Sequence, residues 1–200
     1  MNKIMDNKGF ILEIIKLYQK ARISKFKDIK IRRGRSHSIS SDAEDLFALF
    51  LAKKVPCDAI YIDQPISIKG RKSQFYPDIV IVRNNKITAF CDLKMDLGRK
   101  RDKLTDICAA YKKLLGEIRE KRCGMKDGET KELYSYTIAS NVAYNIVLVS
   151  DQNINSETLQ GHEKNIKKFG KDVELFILSR EEHPNTYGYT PKELLKKIFV

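Results

Sequence analysis

Two hundred residues, 42% of them hydrophobic and 32% charged, suit one ordinary domain with enough chain to bury a core, and they exclude a disordered tail. No apolar run approaches the ~20 residues of a membrane span, and Met1 to Lys8 has neither the apolar core nor the cleavage site of a signal peptide, so a cytoplasmic protein with no membrane contact is expected. The net charge of +12 favours a polyanionic partner.

In chain order, Ile11, Ile14, Ile15 and Tyr18 fall at helical spacing and predict a helix over about residues 8–22. A basic stretch from Lys30 through Arg32, Arg33 and Arg35 reads as a loop. Ser40 and Ser41 precede Asp42, Glu44 and Asp45 and then an apolar run, which predicts a serine-capped helix closed by Pro56. Residues 60–68 alternate and predict one strand, ending at Lys69-Gly70-Arg71-Lys72. Residues 78–82 are a β-branched run, Asn84-Asn85 a hairpin turn, and 87–94 the returning strand. Residues 97–121 have Leu104, Ile107, Cys108, Tyr111 and Leu115 on one helical face. Residues 124–141 read as a polar-aromatic insertion, and 183–189 as another. A strand over 144–150, a helix over 156–169, a strand over 173–179 and a short helix opened by Pro191 complete the chain. Cys57, Cys91, Cys108 and Cys123 form no CxxC pair, so reduced, mostly buried thiols are expected.

This order predicts an α/β fold with a central mixed sheet flanked by helices, a meander first and helical crossovers later. No linker or repeat divides the chain. It reads as one domain: an N-terminal helix and basic loop (1–39), a core (40–150) and a C-terminal helix-strand-helix (151–200).

Strand alternation puts Asp92 and Lys94 on one face, with Asp78 at the start of the adjoining strand. Two carboxylates brought together in a sheet repel each other, and each is costly to bury unpaired. Mg²⁺ resolves that conflict with oxygen ligands, and Leu93 is placed to add a main-chain carbonyl. Lys94 is then expected to orient or deprotonate a water and to stabilise charge on a phosphate. A strict two-residue turn at Asn84-Asn85 would pair Val82 with Ile87 and therefore Asp78 with Cys91, on the wrong face. The site thus requires a three-residue loop over 84–86, or a bulge near Asp78.

Pro77-Asp78, a hairpin, Asp92-x-Lys94 and a following helix resemble the PD-(D/E)xK, or restriction-endonuclease-like, nuclease superfamily over roughly residues 40–150, including its αβββαβ core. The resemblance implies hydrolysis of DNA phosphodiester bonds by water, with Mg²⁺ (Mn²⁺ substituting), one or two ions per site. It implies Asp78, Asp92 and Lys94 as catalytic residues, and Asp78, Asp92 and Leu93 as metal ligands. Many members place an acid on the preceding helix, a position Glu44 matches in both roles; the competing reading is a capping box, Ser41-x-x-Glu44. The likeness is greatest to a small type II restriction enzyme working as a homodimer, since two strands need two sites. A Holliday-junction or repair nuclease of the same superfamily, and a basic DNA-binding module that does not cleave, remain open. The exonuclease branch adds a Gln and Tyr motif on the next helix; Tyr111 is present, but no Gln occurs between Met95 and Tyr111.

Three basic groups are expected to contact DNA phosphates around this site: Arg33 and Arg35; Lys69, Arg71 and Lys72; and Arg99, Lys100, Arg101 and Lys103. His37, His162 and His183 lack metal-ligand spacing and are expected to be non-catalytic.

Overall fold

Four α-helices and seven strands form from residues 6–25, 30 and 33–180, the residues described by a computed structural model. Arg32, the 183–189 stretch, His183 and the helix expected at Pro191 lie outside them.

Helix α1 (Asn7–Ala21) starts where the Asp6 carboxylate accepts the Gly9 N–H at 2.7 Å. Its stripe of Phe10, Ile11, Ile14 and Ile15 is buried against α2 (Ser40–Ala52), with the Phe10 ring 5.8 Å from that of Phe47. The cap expected from Ser40 or Ser41 does not form. Ile39 is the N-cap residue, with no side-chain cap, and the Ser38 hydroxyl accepts the Ser40 N–H at 3.3 Å. Ile39 is buried in the α1–α2 cluster, so packing rather than capping sets where this helix begins.

The strands are β1 (Ala59–Ile62), β2 (Ile66–Ile68), β3 (Ile79–Arg83), β4 (Lys86–Lys94), β5 (Arg122–Lys126), β6 (Leu133–Ser150) and β7 (Val173–Ser179). They lie in the order β1-β3-β4-β6-β5-β2, with β7 also beside β6. The β4–β6 and β6–β7 pairs are parallel and the others antiparallel. Helix α3 (Leu104–Ile118) lies between β4 and β5 in the chain, and α4 (Ser156–Ile166) between β6 and β7.

Two strand expectations need correction. Residues 60–68 are not one strand, because Asp63 is left-handed (φ 46) and Pro65 follows. β1 then pairs with β3 while β2 pairs with β5, at opposite ends of the strand order. Elements so close in sequence cannot end far apart, so the sheet curls until the hydroxyls of Tyr61 and Tyr136 hydrogen-bond at 2.7 Å. Nor is 124–141 an insertion. It supplies most of β5 and the first half of β6, an antiparallel hairpin from Arg122↔Thr137 to Lys126↔Leu133. The helix expected over 97–121 is a 3-10 turn (Gly98–Lys103) followed by α3, and α4 gives way to a second 3-10 turn after Ile166.

Alternation along the strands divides the core into two layers. Val80, Val82, Phe90, Ile146 and Leu148 pack with Leu104, Cys108, Leu115 and Ile118 of α3. Ile79, Ile81, Cys91, Leu93, Val147 and Val149 pack under α1 and α2. Asp92 and Lys94 follow the parity of Phe90 and therefore face the α3 layer. All four cysteines are unpaired; Cys91, Cys108 and Cys123 are buried, and burial pushes the Cys91 and Cys108 thiols up to about 12. No helix among the described residues is long and apolar enough to cross a membrane.

Candidate active site

The turn that builds the site has two residues, so of the two expected irregularities, a three-residue loop over 84–86 or a bulge near Asp78, the loop does not form. Asn84 and Asn85 are both left-handed (φ 52 and 58), the backbone a tight hairpin with right-handed strand twist demands. Arg83 pairs with Lys86 and Val82 with Ile87. The ladder then slips: Ile81 pairs with Ala89, leaving Thr88 as an extra residue whose hydroxyl donates to the Ile81 carbonyl at 3.3 Å. From there Ile79 pairs with Cys91, and the next step sets Asp78 opposite Asp92. The required bulge exists, but beside the turn rather than near Asp78. It lies there because the Asn-Asn turn fixes one register and the core-facing residues beyond it require another, one residue longer on β4.

Continued past the end of β3, the same register would bring Pro77 opposite Leu93. Facing residues of a hydrogen-bonded antiparallel pair exchange N–H and carbonyl, but proline has no N–H to give. The Leu93 carbonyl therefore receives no ladder hydrogen bond from Pro77, while the Leu93 N–H donates to Asp78 Oδ2 at 2.8 Å.

Lys94 Nζ bridges the carboxylates, 3.0 Å from Asp78 Oδ2 and 3.3 Å from Asp92 Oδ2. Side-chain exposure grades from 8% at Asp92 through 23% at Asp78 to 36% at Lys94, so the site opens outward from Asp92. Two tyrosines close its floor. Tyr144 donates to Asp92 Oδ1 at 2.6 Å and Tyr111, from α3, to Oδ2 at 2.8 Å; their rings stack at 3.7 Å. Burial and the Asp92 charge hold the Asp78 carboxyl above its ordinary pKa. Burial alone would pull Lys94 down, but Asp92 and Asp78 outweigh it and keep the ammonium protonated above the usual lysine value. Burial and the same carboxylate also push the Tyr111 and Tyr144 hydroxyls up, so both remain donors.

Glu44 flanks the buried stripe of α2 (Ala43, Phe47, Ala48) and is half-buried. Burial first, then the charges of Asp78 and Asp63, raise its carboxyl pKa, while Lys94 acts in the opposite direction. With the helix starting after Ile39, the capping-box alternative for Glu44 has no structural counterpart. Asp63 is an acid that sequence patterning does not single out: its N–H donates to the Asp78 carbonyl at 2.8 Å, and its charge acts on Glu44.

Does this donor set suit a hard divalent cation? Asp78 and Asp92 converge, with Glu44 within reach of their charge and the Leu93 carbonyl spared by Pro77. All are oxygen donors of the kind Mg²⁺ takes. Among the described residues, however, no three or more His, Cys, Asp or Glu side chains converge in a metal-holding group. Lys94 provides the positive charge between the carboxylates, and its ammonium must give way for a cation to lie there.

The basic groups separate. Lys100 lines the same cavity as Asp92 and Lys94. Lys103 is exposed nearby, Arg101 reaches the Asn153 carbonyl at 3.3 Å, and the Arg99 side chain is outside the described set. Arg33 and Arg35 are exposed ahead of α2, with Arg33 2.6 Å from the His37 ring. Lys69, Arg71 and Lys72 are not at the site. Lys69 bonds Arg122, which pairs with Thr137, which pairs with Lys86. That row lies six residues down β4 from Asp92, roughly 20 Å at strand rise, and Arg71 is ion-paired to Glu117 at 2.7 Å. Proximity in sequence to the Asp78 strand misleads here, because β2 pairs at the far edge of the curled sheet.

By sequence, Tyr144 is only a strand residue, and Tyr111 only a helix-face residue without the accompanying glutamine. The signal that could have found them is chemical: a tyrosine on the buried face of an element needs a partner for its hydroxyl, and Asp92 is the acceptor within reach of both. Compared with models of protein families, with curated proteins and with solved structures, the chain matches none.

Proposed function

We propose that the chain is a Mg²⁺-dependent DNA endonuclease of the PD-(D/E)xK kind, most like a small type II restriction enzyme. The observation that carries this reading is the register slip at Thr88, which brings Asp78 and Asp92 together with Lys94 bridging them. The succession α2-β1-β3-β4-α3-β6 supports it by following the αβββαβ order, with β2 and β5 added at the curled edge.

In this reading Asp78, Asp92, the Leu93 carbonyl and Glu44 hold the cation, which supplies Lewis acidity and charge neutralisation when bound. Tyr144 and Tyr111 fix the Asp92 carboxylate so that it does not have to reorganise. Lys94, kept as an ammonium, orients the attacking water and stabilises charge developing on the phosphate; its raised pKa favours this role over that of a base. Lys100 faces the neighbouring phosphate. Duplex scission requires two copies, hence a homodimer.

Supercoiled DNA incubated with Mg²⁺ is expected to be nicked or linearised, with Mn²⁺ substituting and EDTA abolishing cleavage. Lys94→Ala is expected to slow cutting by about 10³-fold, the scale of losing one preorganised charge stabiliser. Cleavage unchanged in Lys94→Ala, or surviving EDTA, rejects the mechanism. One observation favours a second reading, a DNA-binding module that does not cleave: both Asp92 oxygens are already hydrogen-bonded within the protein. Tight DNA binding with no cleavage of any substrate would select it.

A further inference from the structure

A cavity of about 470 Å³ opens directly beside Asp92 and Lys94, within the roughly 300–1,000 Å³ typical of pockets that enclose a small molecule. Its charged lining is the nearly enclosed Asp92, with Lys94, Asp96 and Lys100 toward the rim, and its apolar lining is Leu97, Leu104, Ile107, Ile146 and the Tyr111 ring. The 3-10 turn Gly98–Lys103 forms one side, doubling back from the end of β4 through the left-handed Gly98 (φ 48). Phosphate chemistry uses the rim alone. The backbone of an intact duplex runs across such a rim with its bases turned inward to their own stack, so nothing apolar would enter the recess. A planar, largely apolar ring attached to the strand being cut would fill it.

We propose that the cavity takes a nucleobase turned out of its stack, from the nucleotide beside the scissile phosphate. The substrate is then DNA with an unpaired or weakly paired nucleotide at the cut: a single strand, mismatch, flap or branch. This rests on reading Asp78, Asp92 and Lys94 as a phosphodiester-cleaving site. It deepens that reading by naming the substrate class, and within the same superfamily it favours a repair or branch-cleaving nuclease over an enzyme that cuts intact duplex. Extrusion is least costly where a base has no partner, so the site discriminates by pairing state as well as by charge. The aromatic and aliphatic walls make the contact tolerant of base identity.

The test uses the whole chain in EDTA with oligonucleotides carrying one 2-aminopurine. An unpaired 2-aminopurine is expected to change its fluorescence on binding, and an abasic residue in its place to weaken binding by about tenfold, the scale of a single base stack. A fully paired duplex is expected to bind with no fluorescence change. Ile107→Trp, which fills the cavity, is expected to abolish the signal. Because the abasic comparison uses the unaltered protein, it decides the matter even if that variant fails to fold. Equal affinity for base-containing and abasic strands, with no fluorescence change, overturns the pocket even if Mg²⁺-dependent cleavage is seen. A signal without any cleavage upholds the pocket and rejects the nuclease reading. Free 2-aminopurine deoxyribonucleoside monophosphate binding as tightly as the oligonucleotide would overturn nucleic acid as the ligand.

Discussion

At the start of β4, Lys86 belongs to a row of exposed cations, Lys69, Arg122, Lys86 and Arg83, laid across the sheet. At its other end Asp92 is almost enclosed, with two tyrosines and a lysine donating to it. Both ends are rich in charge, yet only one is organised. Exposed charges keep their water, and their removal barely changes the folded state. A charge taken out of water has to be matched donor for donor, and that matching is what marks a site. The +12 net charge therefore favours a polyanionic partner, the DNA of the proposed function, without indicating a place for it. In the proposed reading, the place is given by where charge is buried.

The largest expected difference between the ends is in rate. Asp92→Asn should join Lys94→Ala in reducing single-turnover cleavage by about 10³-fold, while Lys69, Lys86 and Arg122 changed together to Gln leave the rate at saturating DNA intact. A triple variant that loses the chemical step would place the far row of cations in the reaction itself. Next comes stability. Tyr144→Phe leaves a buried carboxylate oxygen without its donor and should cost about 1.5–3 kcal/mol in urea unfolding; the triple variant should stay within ~0.5 kcal/mol. Cation binding is a similar, slightly smaller effect. Mg²⁺ at tenfold its Kd should add about 1.4 kcal/mol to wild type and nothing to Asp78→Asn, followed by thermal unfolding. The far end should register instead in salt: for every phosphate that the triple variant no longer neutralises, the slope of log affinity against log salt falls by about 0.9.

The smallest effect is on the alkaline side. The folded-state pKa of Lys94 is raised, so its stabilising share is whole below the ordinary lysine value and is lost as pH rises through the raised one. Stability should fall with that proton in wild type, and the fall should be shallower in Lys94→Ala.

Much of the fold is legible in the sequence because it is local. The β-branched 79–82 run, the Asn-Asn turn and the apolar stripes of α1 and α3 each depend on neighbours within a few residues. What is not legible depends on partners distant in sequence. Leu133 to Ile138 alternates as a strand should, but its polar residues suggest a loop until β4 and β5 supply ladders on both sides. The break at Asp63 matters only because β2 finds β5. Tyr144 becomes a site residue only when Tyr111, on a helix 33 positions earlier, is laid over it. The acidic pair itself is legible, and so is the need for an irregularity to unite it, since strand parity is arithmetic.

Thr88 is spare length, held on one strand of the hairpin and not on the other. If it were deleted with the Asn84-Asn85 turn kept, Val82↔Ile87 and Ile81↔Ala89 would become consecutive rungs of a regular ladder. Asp78 would still meet Asp92, and Ile87 and Phe90 would still face α3. β3 has no such reserve. Deleting Ile81 there, with turn and bulge kept, would set Asp78 opposite Cys91 and turn it away from Asp92. Loss of the Thr88 codon should therefore leave the hairpin working, whereas loss of the Ile81 codon should abolish it. Length variation in this hairpin is expected to fall on the β4 side.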